Sequence, residues 1–339
     1  MAFASPDSDP SAPREFSADD ALPPVEPPSA GFIVQLFVIP GVIVSIIVLV
    51  WLLFNWLAQM GSDPNAYVDA IKRNNEARWQ AAVNLANALN NEKGPGFAEL
   101  RRNREVVKEL SSVLDAEIAA GSMKDNPINF RFYLCKTLGA FEVADGLPVL
   151  LKAAATRRDP AEIVVQCSAI QAIALLAENV RRANPGNAFD SAELTSTLLN
   201  ASRDEDPLVR ESASYALGVI GSNEMLERLR SMVDDAYPNV RYNASTGLAR
   251  RGDSAAIPML LEMIDPSEDA GIKIEEEKSR SFKQALIQFN GVRGIEALLA
   301  NNPQIDRQQF VPAIEKLLKS NPPHSVAIEA KNLLRSIQP

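Results

Sequence analysis

Few residues in this 339-residue chain have the chemistry of a reaction centre. His324 is the only histidine, and it follows Pro322 and Pro323 where a helix is predicted to begin. Histidine-based metal sites and Ser/His or Cys/His catalysis therefore have a single imidazole to draw on. We predict no catalytic residues, no metal site and no enzymatic activity.

The other reactive side chains favour structural roles. Cys135 and Cys167 are not in a redox spacing, and both are predicted to be buried small hydrophobic residues. The segment Gly94–Gly96 has no preceding strand and no following Lys-Ser or Lys-Thr, so it predicts a turn and not a phosphate loop. The acidic run from Glu275 to Glu277 is typical of an exposed helix start. We therefore expect no bound cofactor.

A long uncharged segment predicts where the protein works. The sequence FIVQLFVIPGVIVSIIVLVWLLFNWLAQM runs from Phe32 to Met60, and a bilayer core needs roughly 20 apolar helical residues. We predict one transmembrane helix over residues 32–59, with a kink at Pro40. A cleaved signal peptide is the weaker alternative, because it would have a basic leader and a shorter apolar core.

The flanks of this helix predict its orientation. The leader, residues 1–31, carries a net charge of −5 and seven prolines, so it is predicted to be disordered. Arg14 is its only basic residue, whereas Lys72, Arg73 and Arg78 follow the helix closely. The positive-inside rule places the C-terminal residues in the cytoplasm of a single-pass membrane protein.

Composition limits the classes of partner for residues 61–339. This part has 279 residues, enough for a sizeable core. The whole chain has a net charge of −9, and the leader's share leaves −4 here. A basic footprint for nucleic acid is missing, so we predict none as a partner. Two cysteines in a chain this long indicate a reducing compartment.

Internal repeats predict the fold of residues 61–339. The segment DPLVRESASYALGVIG, from Asp206 to Gly221, matches YPNVRYNASTGLARRGD, from Tyr237 to Asp253, at an offset of 31 residues. Each copy is an amphipathic helix followed by a second amphipathic stretch. Weaker copies surround Arg78, Arg131 and Gln166, the last with glutamine at the arginine position. Two helices cannot bury their apolar faces alone, so the units must stack.

This pattern resembles the HEAT repeat, especially the short form called the phycobilisome-lyase-like HEAT repeat, over most of residues 64–339. The resemblance implies an all-α fold in which HEAT-like helical hairpins stack into an α-solenoid. In this chain the single transmembrane helix precedes the solenoid.

The resemblance also implies a structural ladder between repeats. In the family, an aspartate before the helix-starting proline and an arginine after it form hydrogen bonds between neighbouring repeats. Gln166 interrupts the series here. The positions carried over are Asp206, Arg210, Arg241, Arg78 and Arg131.

The function predicted from these features is a membrane-anchored scaffold or adaptor. Solenoids bind other proteins through long surfaces, and the chain combines repeats with an anchor and no reaction centre. Aromatic and arginine residues are enriched at interfaces, so Tyr215, Tyr242 and Arg250 are candidate surface contacts.

Two alternatives remain at this level. Similar repeats occur in phycobilisome lyases, so the chain could attach a bilin or another prosthetic group. The chain could also be a membrane oligomer, in which the small residues Gly41 and Ser45 pack anchors together.

Overall fold

The computed structural model describes residues 27, 29–60, 64–73, 75, 77–91, 95–186, 189–273 and 275–338. Every regular element in these ranges is helical, and none of them is a strand. The chain divides into two compact units, residues 1–62 and residues 63–339. Most of the leader predicted to be disordered, residues 1–31, lies outside the described residues.

The first unit contains one long apolar helix with a local irregularity. Helix α1 (Ala30–Ile33) leads through a π-helical turn (Val34–Val38) into α2 (Ile39–Met60). Pro40 has no N–H, and its ring would clash with an α-helical carbonyl four residues earlier, that of Leu36. The wider π turn lies at this point, so the irregularity expected from Pro40 takes this form.

Among the described residues, two helices have the length and composition to cross a membrane. The first covers residues 30–54, where every described side chain is exposed. The second covers residues 160–183 and is 61% buried, as expected of a core helix in a soluble fold. Only the first therefore has a continuous apolar surface without a partner in its own unit.

The second unit consists of two layers of helices. In the first layer each helix packs against the next: α4 (Arg78–Asn91), α7 (Asp125–Gly139), α9 (Ile163–Ala183), α11 (Pro207–Ile220), α13 (Pro238–Ala249), α15 (Glu277–Asn301) and α17 (His324–Ile337). The second layer covers one face of the first: α3 (Pro64–Lys72), α5 (Pro95–Arg101), α6 (Arg104–Ala120), α8 (Leu147–Ala155), α10 (Ala192–Ala201), α12 (Asn223–Met232), α14 (Ile257–Ile264) and α16 (Val311–Lys319).

Helix α11 illustrates how the sequence sets these elements. Asp206 is its N-cap, and a carboxylate oxygen accepts the N–H of Leu208 at 2.8 Å. Pro207 occupies the first turn, where a missing N–H costs nothing. Gly221 ends the helix with a φ of 71°, a left-handed conformation that favours glycine. The predicted apolar stripe, which includes Val209 and Ala213, is fully buried.

Small residues bring neighbouring helices of the first layer into backbone contact. A Cβ added to Gly218 of α11 would lie 2.7 Å from the Cα of Gly247 in α13. A Cβ added to Gly139 of α7 would lie 2.8 Å from the Cα of Ala172 in α9. The first layer can therefore pack this tightly only with glycine at these junctions.

Candidate functional site

One groove crosses five consecutive helices of the first layer. It has a volume of about 430 Å³ and is lined from α4, α7, α9, α11 and α13. We call it the amide groove, because side-chain amides recur along it. Its polar lining includes Asn87, Asn90, Tyr133, Lys136, Gln171, Glu211, Tyr215 and Asn243.

Side-chain hydrogen bonds hold the helices beneath the groove in register. The Thr137 hydroxyl of α7 donates to the Tyr133 carbonyl of its own helix at 2.8 Å and lies 3.3 Å from the Ala82 carbonyl of α4. The Ser168 hydroxyl of α9 donates to the Phe132 carbonyl of α7 at 2.9 Å. The next junctions are joined by Gln171 to Ser212 and by Asn243 to the Glu211 carbonyl. Three of the four junctions are therefore joined by side-chain hydrogen bonds, and these form a bonded, rigid floor beneath the groove.

The amides of the groove keep acceptor capacity after making these contacts. Asn90 donates its NH2 to the Ala86 carbonyl, Gln171 donates to Ser212, and Asn243 donates to the Glu211 carbonyl. Within the described residues, their side-chain oxygens accept no hydrogen bond. Each amide oxygen can accept two hydrogen bonds, so the groove offers acceptors to a ligand with N–H groups.

Glu211 is the carboxylate of the groove, and its charge is poorly compensated. One of its oxygens accepts a hydrogen bond from Asn239 at 3.3 Å. Burial raises the pKa of Glu211, against the opposing effects of Asn239 and Lys283. Lys283 lies 3.8 Å from Glu275, so it is shared between two carboxylates. The Glu211 side of the groove therefore favours a cation.

Lys136 supplies the only positive charge among the lining residues that the structure describes. Its ammonium group lies 5.0 Å from the ring centroid of Phe132 on the same helix. The nearby Tyr133 and Tyr215 are half-buried and line the same groove. Burial raises the pKa of Tyr215, so its hydroxyl stays protonated as a hydrogen-bond donor.

The predicted surface contacts divide between the groove and the core. Tyr215 lines the groove and Arg250 is exposed. The prediction for Tyr242 is wrong, because this side chain is 6% exposed and its hydroxyl lies 3.0 Å from Glu262.

The two cysteines differ in their burial. Cys135 is fully buried, and burial raises the pKa of its thiol to about 12. The prediction of burial holds only in part for Cys167, which is half-buried beside Ser212. Burial also raises the pKa of the Cys167 thiol, to about 11, so neither thiol forms a reactive thiolate near neutral pH.

The arginines of the predicted ladder bind carboxylates of neighbouring elements. Arg210 makes a bidentate pair with Asp235, at 2.8 and 3.0 Å, in the turn before α13. Its Nη1 also donates to the carbonyl of Asp204, in the turn before its own helix, at 3.0 Å. Arg241 repeats this arrangement, with the Asp235 carbonyl at 3.1 Å and Glu262 at 3.1 Å.

The ladder arginines nearer the N-terminus use other carboxylates. Arg131 is 1% exposed and donates to Glu162 at 2.6 Å, just before α9. Arg158 binds the same Glu162 carboxylate and also the Ile118 carbonyl at the end of α6. Arg78 binds Glu117 at 2.7 Å and lies 4.5 Å from the Phe130 ring centroid.

Two predicted ladder positions behave differently. Asp206 caps its own helix, and among the described residues its side chain makes no bond to a neighbouring repeat. Gln166 donates to the Ala154 carbonyl at 3.0 Å, inside its own hairpin. An arginine in place of Gln166 would be expected to bind a carboxylate of the next repeat. Arg157 makes this contact instead, because it binds Asp204 at 2.9 Å.

The partners of the arginines were missed in the sequence. Asp204 and Asp235 lie in turns and Glu162 ends a short 3-10 helix, so no α-helical period marks them. The only signal was that each precedes a repeat helix by a few residues. Within the described residues, no group of three or more His, Cys, Asp or Glu side chains could hold a metal ion.

Comparison with known proteins supports the repeat assignment. A family model described as HEAT repeats matches residues 161–244 and 192–277. Search of curated proteins gives no match. Human deoxyhypusine hydroxylase, solved in complex with glycerol, is 18% identical with a TM-score of 0.33, over 83% of this chain and 99% of the hydroxylase chain. An engineered protein is 17% identical with a TM-score of 0.36, over 82% of this chain and 97% of its own.

Proposed function

We propose that this protein is a membrane-anchored scaffold that binds another protein through the amide groove of its helical repeats. The observation that carries the proposal is the groove itself, which spans five consecutive helices and has a polar-bonded floor. Repeats of helical pairs commonly present such extended surfaces to partners. The role is that of an adaptor, without catalysis.

The anchor in this proposal is the helix over residues 30–54. Every large apolar side chain described from Phe32 to Phe54 is exposed, which would be costly in water. The same surface is stabilised in a bilayer. The basic residues Lys72, Arg73 and Arg78 follow this helix, so the proposal places residues 64–339 at the cytoplasmic face.

Affinity capture tests the scaffold function. The full chain is purified from detergent-solubilised membranes beside a chain that begins at Gly61, and bound proteins are identified by mass spectrometry. We expect a specific partner to be retained by both chains. Recovery of no protein above background would contradict the proposal, and a partner retained only by the full chain would move binding to the anchor.

Oligomerisation through the anchor is a second candidate with one observation in its favour. Gly41 and Ser45 lie one helical turn apart, and the Ser45 hydroxyl donates to the Gly41 carbonyl at 2.8 Å. This internal bond leaves a shallow surface with no polar group unpaired, which suits close helix packing. Crosslinking of anchors in membranes should be lost in Gly41→Leu; unchanged crosslinking would exclude this face.

A further inference from the structure

We propose that the amide groove takes an extended peptide segment of the partner, read through its main-chain N–H groups and through one lysine or arginine that pairs with Glu211. The inference rests on the proposed scaffold function and names the chemical class of its ligand. Three observations carry it: the spread of free amide oxygens, the unpaired carboxylate, and the rigid floor between them.

The amide oxygens are arranged for a chain and not for a compact ligand. Asn90 lies on α4, Gln171 on α9 and Asn243 on α13, so they recur along the layer. Packed helices lie about 8–10 Å apart, and an extended chain advances about 3.3 Å per residue. About five or six residues of an extended chain therefore separate one acceptor from the next, and a segment on the order of 10 residues reaches all three.

A helical ligand does not match these groups. The N–H groups of an α-helix are bonded within the helix, except in its first turn. The free amide oxygens of the groove would then receive no main-chain donor, and each one covered without a side-chain donor would lose its hydrogen bonds to water. An extended peptide supplies an N–H to each of them.

Charge around Glu211 specifies the basic residue. The charged groups that act on this carboxylate are Lys283 and Glu275, both from the segment that leads into and begins α15. Together with Glu211 they leave one net negative charge. Asn239 of α13 contributes a neutral hydrogen bond at 3.3 Å. A ligand ammonium or guanidinium group would complete this cluster and form a charge-assisted hydrogen bond.

The test uses the full chain in phosphatidylcholine nanodiscs and a phage-displayed library of random peptides about 12 residues long. We expect selected peptides to contain lysine or arginine. Synthetic copies should bind by fluorescence anisotropy, with affinity lowered at least tenfold by Glu211→Gln. Glu296→Gln is the matched control, because Glu296 is exposed on α15 outside the groove, and its affinity should equal that of the unsubstituted chain.

Two changes are made on the peptide, so they have no effect on the folding of the protein. The first replaces the basic residue of the peptide by glutamate, which should weaken binding at least tenfold. The protein variant Glu211→Lys should then restore binding of that altered peptide. Methylating the peptide main-chain nitrogens one at a time should weaken binding at several positions. Peptides without a basic residue, equal binding to Glu211→Gln, or tolerance of methylation throughout would each overturn the inference, as would the absence of any binding peptide.

Capture from membranes separates this inference from the scaffold function. If a partner retained by the unsubstituted chain is lost from Glu211→Gln and kept by Glu296→Gln, both stand. If both variants keep the partner, the peptide inference is wrong while the scaffold function stands. If the unsubstituted chain retains no partner, the scaffold function itself is wrong.

Discussion

Glu211 is a residue whose environment favours ligand binding at the expense of stability. Burial raises its pKa, so the folded state holds the proton more tightly than the unfolded chain. The stability linked to this proton is present at low pH and is lost as pH rises through the raised pKa. A carboxylate whose pKa is raised by burial and that lines a groove is a common mark of a functional site.

Replacement of Glu211 by glutamine should therefore raise stability near neutral pH. We expect the midpoint of thermal unfolding to rise by about 2 °C at pH 7.5, and the difference from the unsubstituted chain to shrink toward pH 4. Differential scanning calorimetry at several pH values measures both effects. Glu296→Gln should leave the midpoint unchanged at every pH, and a lower midpoint for Glu211→Gln at pH 7.5 would contradict this account.

Glu162 has the opposite pH behaviour. Its burial acts to raise the pKa, but hydrogen bonds from Arg158 and Arg131 outweigh that effect and hold the pKa at about 2. The folded state therefore releases this proton more easily than the unfolded chain, whose carboxyl has an ordinary pKa of 4.5. The stability from Glu162 is present above the ordinary value and is lost as pH falls toward the folded value.

Acid unfolding followed by circular dichroism tests this contribution. The free energy of unfolding should fall steeply between pH 4.5 and about pH 2 in the unsubstituted chain. Glu162→Gln should have a shallower slope in this window together with a lower stability at pH 7. Equal slopes for the two chains would show that the pair does not govern acid stability.

Arg131 is the more buried partner of this cluster. Arg131→Met leaves Glu162 with Arg158 alone and removes the hydrogen bond to the Ser122 carbonyl. Breaking a buried ion pair from one side costs about 3–5 kcal/mol, so urea unfolding should shift by that amount. The control is Arg335→Met, at an exposed position where a change near zero is expected. A loss below 1 kcal/mol for Arg131→Met would argue that the pair is replaceable.

At the scale of elements, the junction between α11 and α13 depends on glycine. Gly218→Ala should destabilise the protein by about 1–3 kcal/mol, because the new methyl group meets the Gly247 backbone at 2.7 Å. Helix propensity acts in the other direction, favouring alanine by about 1 kcal/mol. Gly186→Ala, where no atom lies within 4 Å of the added Cβ, should be neutral. Chemical denaturation of Gly218→Ala decides between packing, which lowers the free energy of unfolding, and propensity, which raises it.

The sequence predicted the helices better than the side-chain contacts between them. Asp206, Pro207 and Gly221 mark the ends of α11 through local backbone chemistry, and the structure confirms these bounds. The apolar stripe fixed which face of each helix is buried. Two acceptors of the arginines, Asp204 and Asp235, lie in turns, and pairing across a turn depends on how two repeats stack. Arg157 could not be assigned to Asp204 for this reason, and the inward turn of Tyr242 was hidden in the same way.

The local sequence pattern also did not predict the amide groove. Asn90, Gln171 and Asn243 occupy polar positions on three helices, and each looks like an ordinary solvent-facing amide in its own helix. Their alignment appears only when α4, α9 and α13 are placed in one layer. Glu211 likewise follows a ladder arginine, and nothing in the sequence distinguishes it from a solvated carboxylate.

At the scale of the whole molecule, repeats make contacts with their neighbours and give a core that runs from α3 to α17. Stability in such arrays is close to a sum of repeat and junction contributions. The second unit therefore contains its own core. In the first unit, the described side chains of the apolar helix over residues 30–54 are exposed. Insertion into a bilayer would bury the apolar surface of this helix.

Membrane extraction tests this last assignment. We expect the full chain to remain in the membrane pellet after alkaline carbonate treatment, since apolar residues over roughly 20 positions insert strongly. Arginine at both Ile47 and Val48 should release it, at a cost of about 2.5–3.5 kcal/mol for each charge. Arginine at Val164 and Leu208, which are exposed in the second unit, is the matched control and should leave the chain in the pellet. Protease added outside intact cells should spare residues 64–338; cleavage there, or release of the unsubstituted chain by carbonate, would contradict a cytoplasmic domain held by this helix.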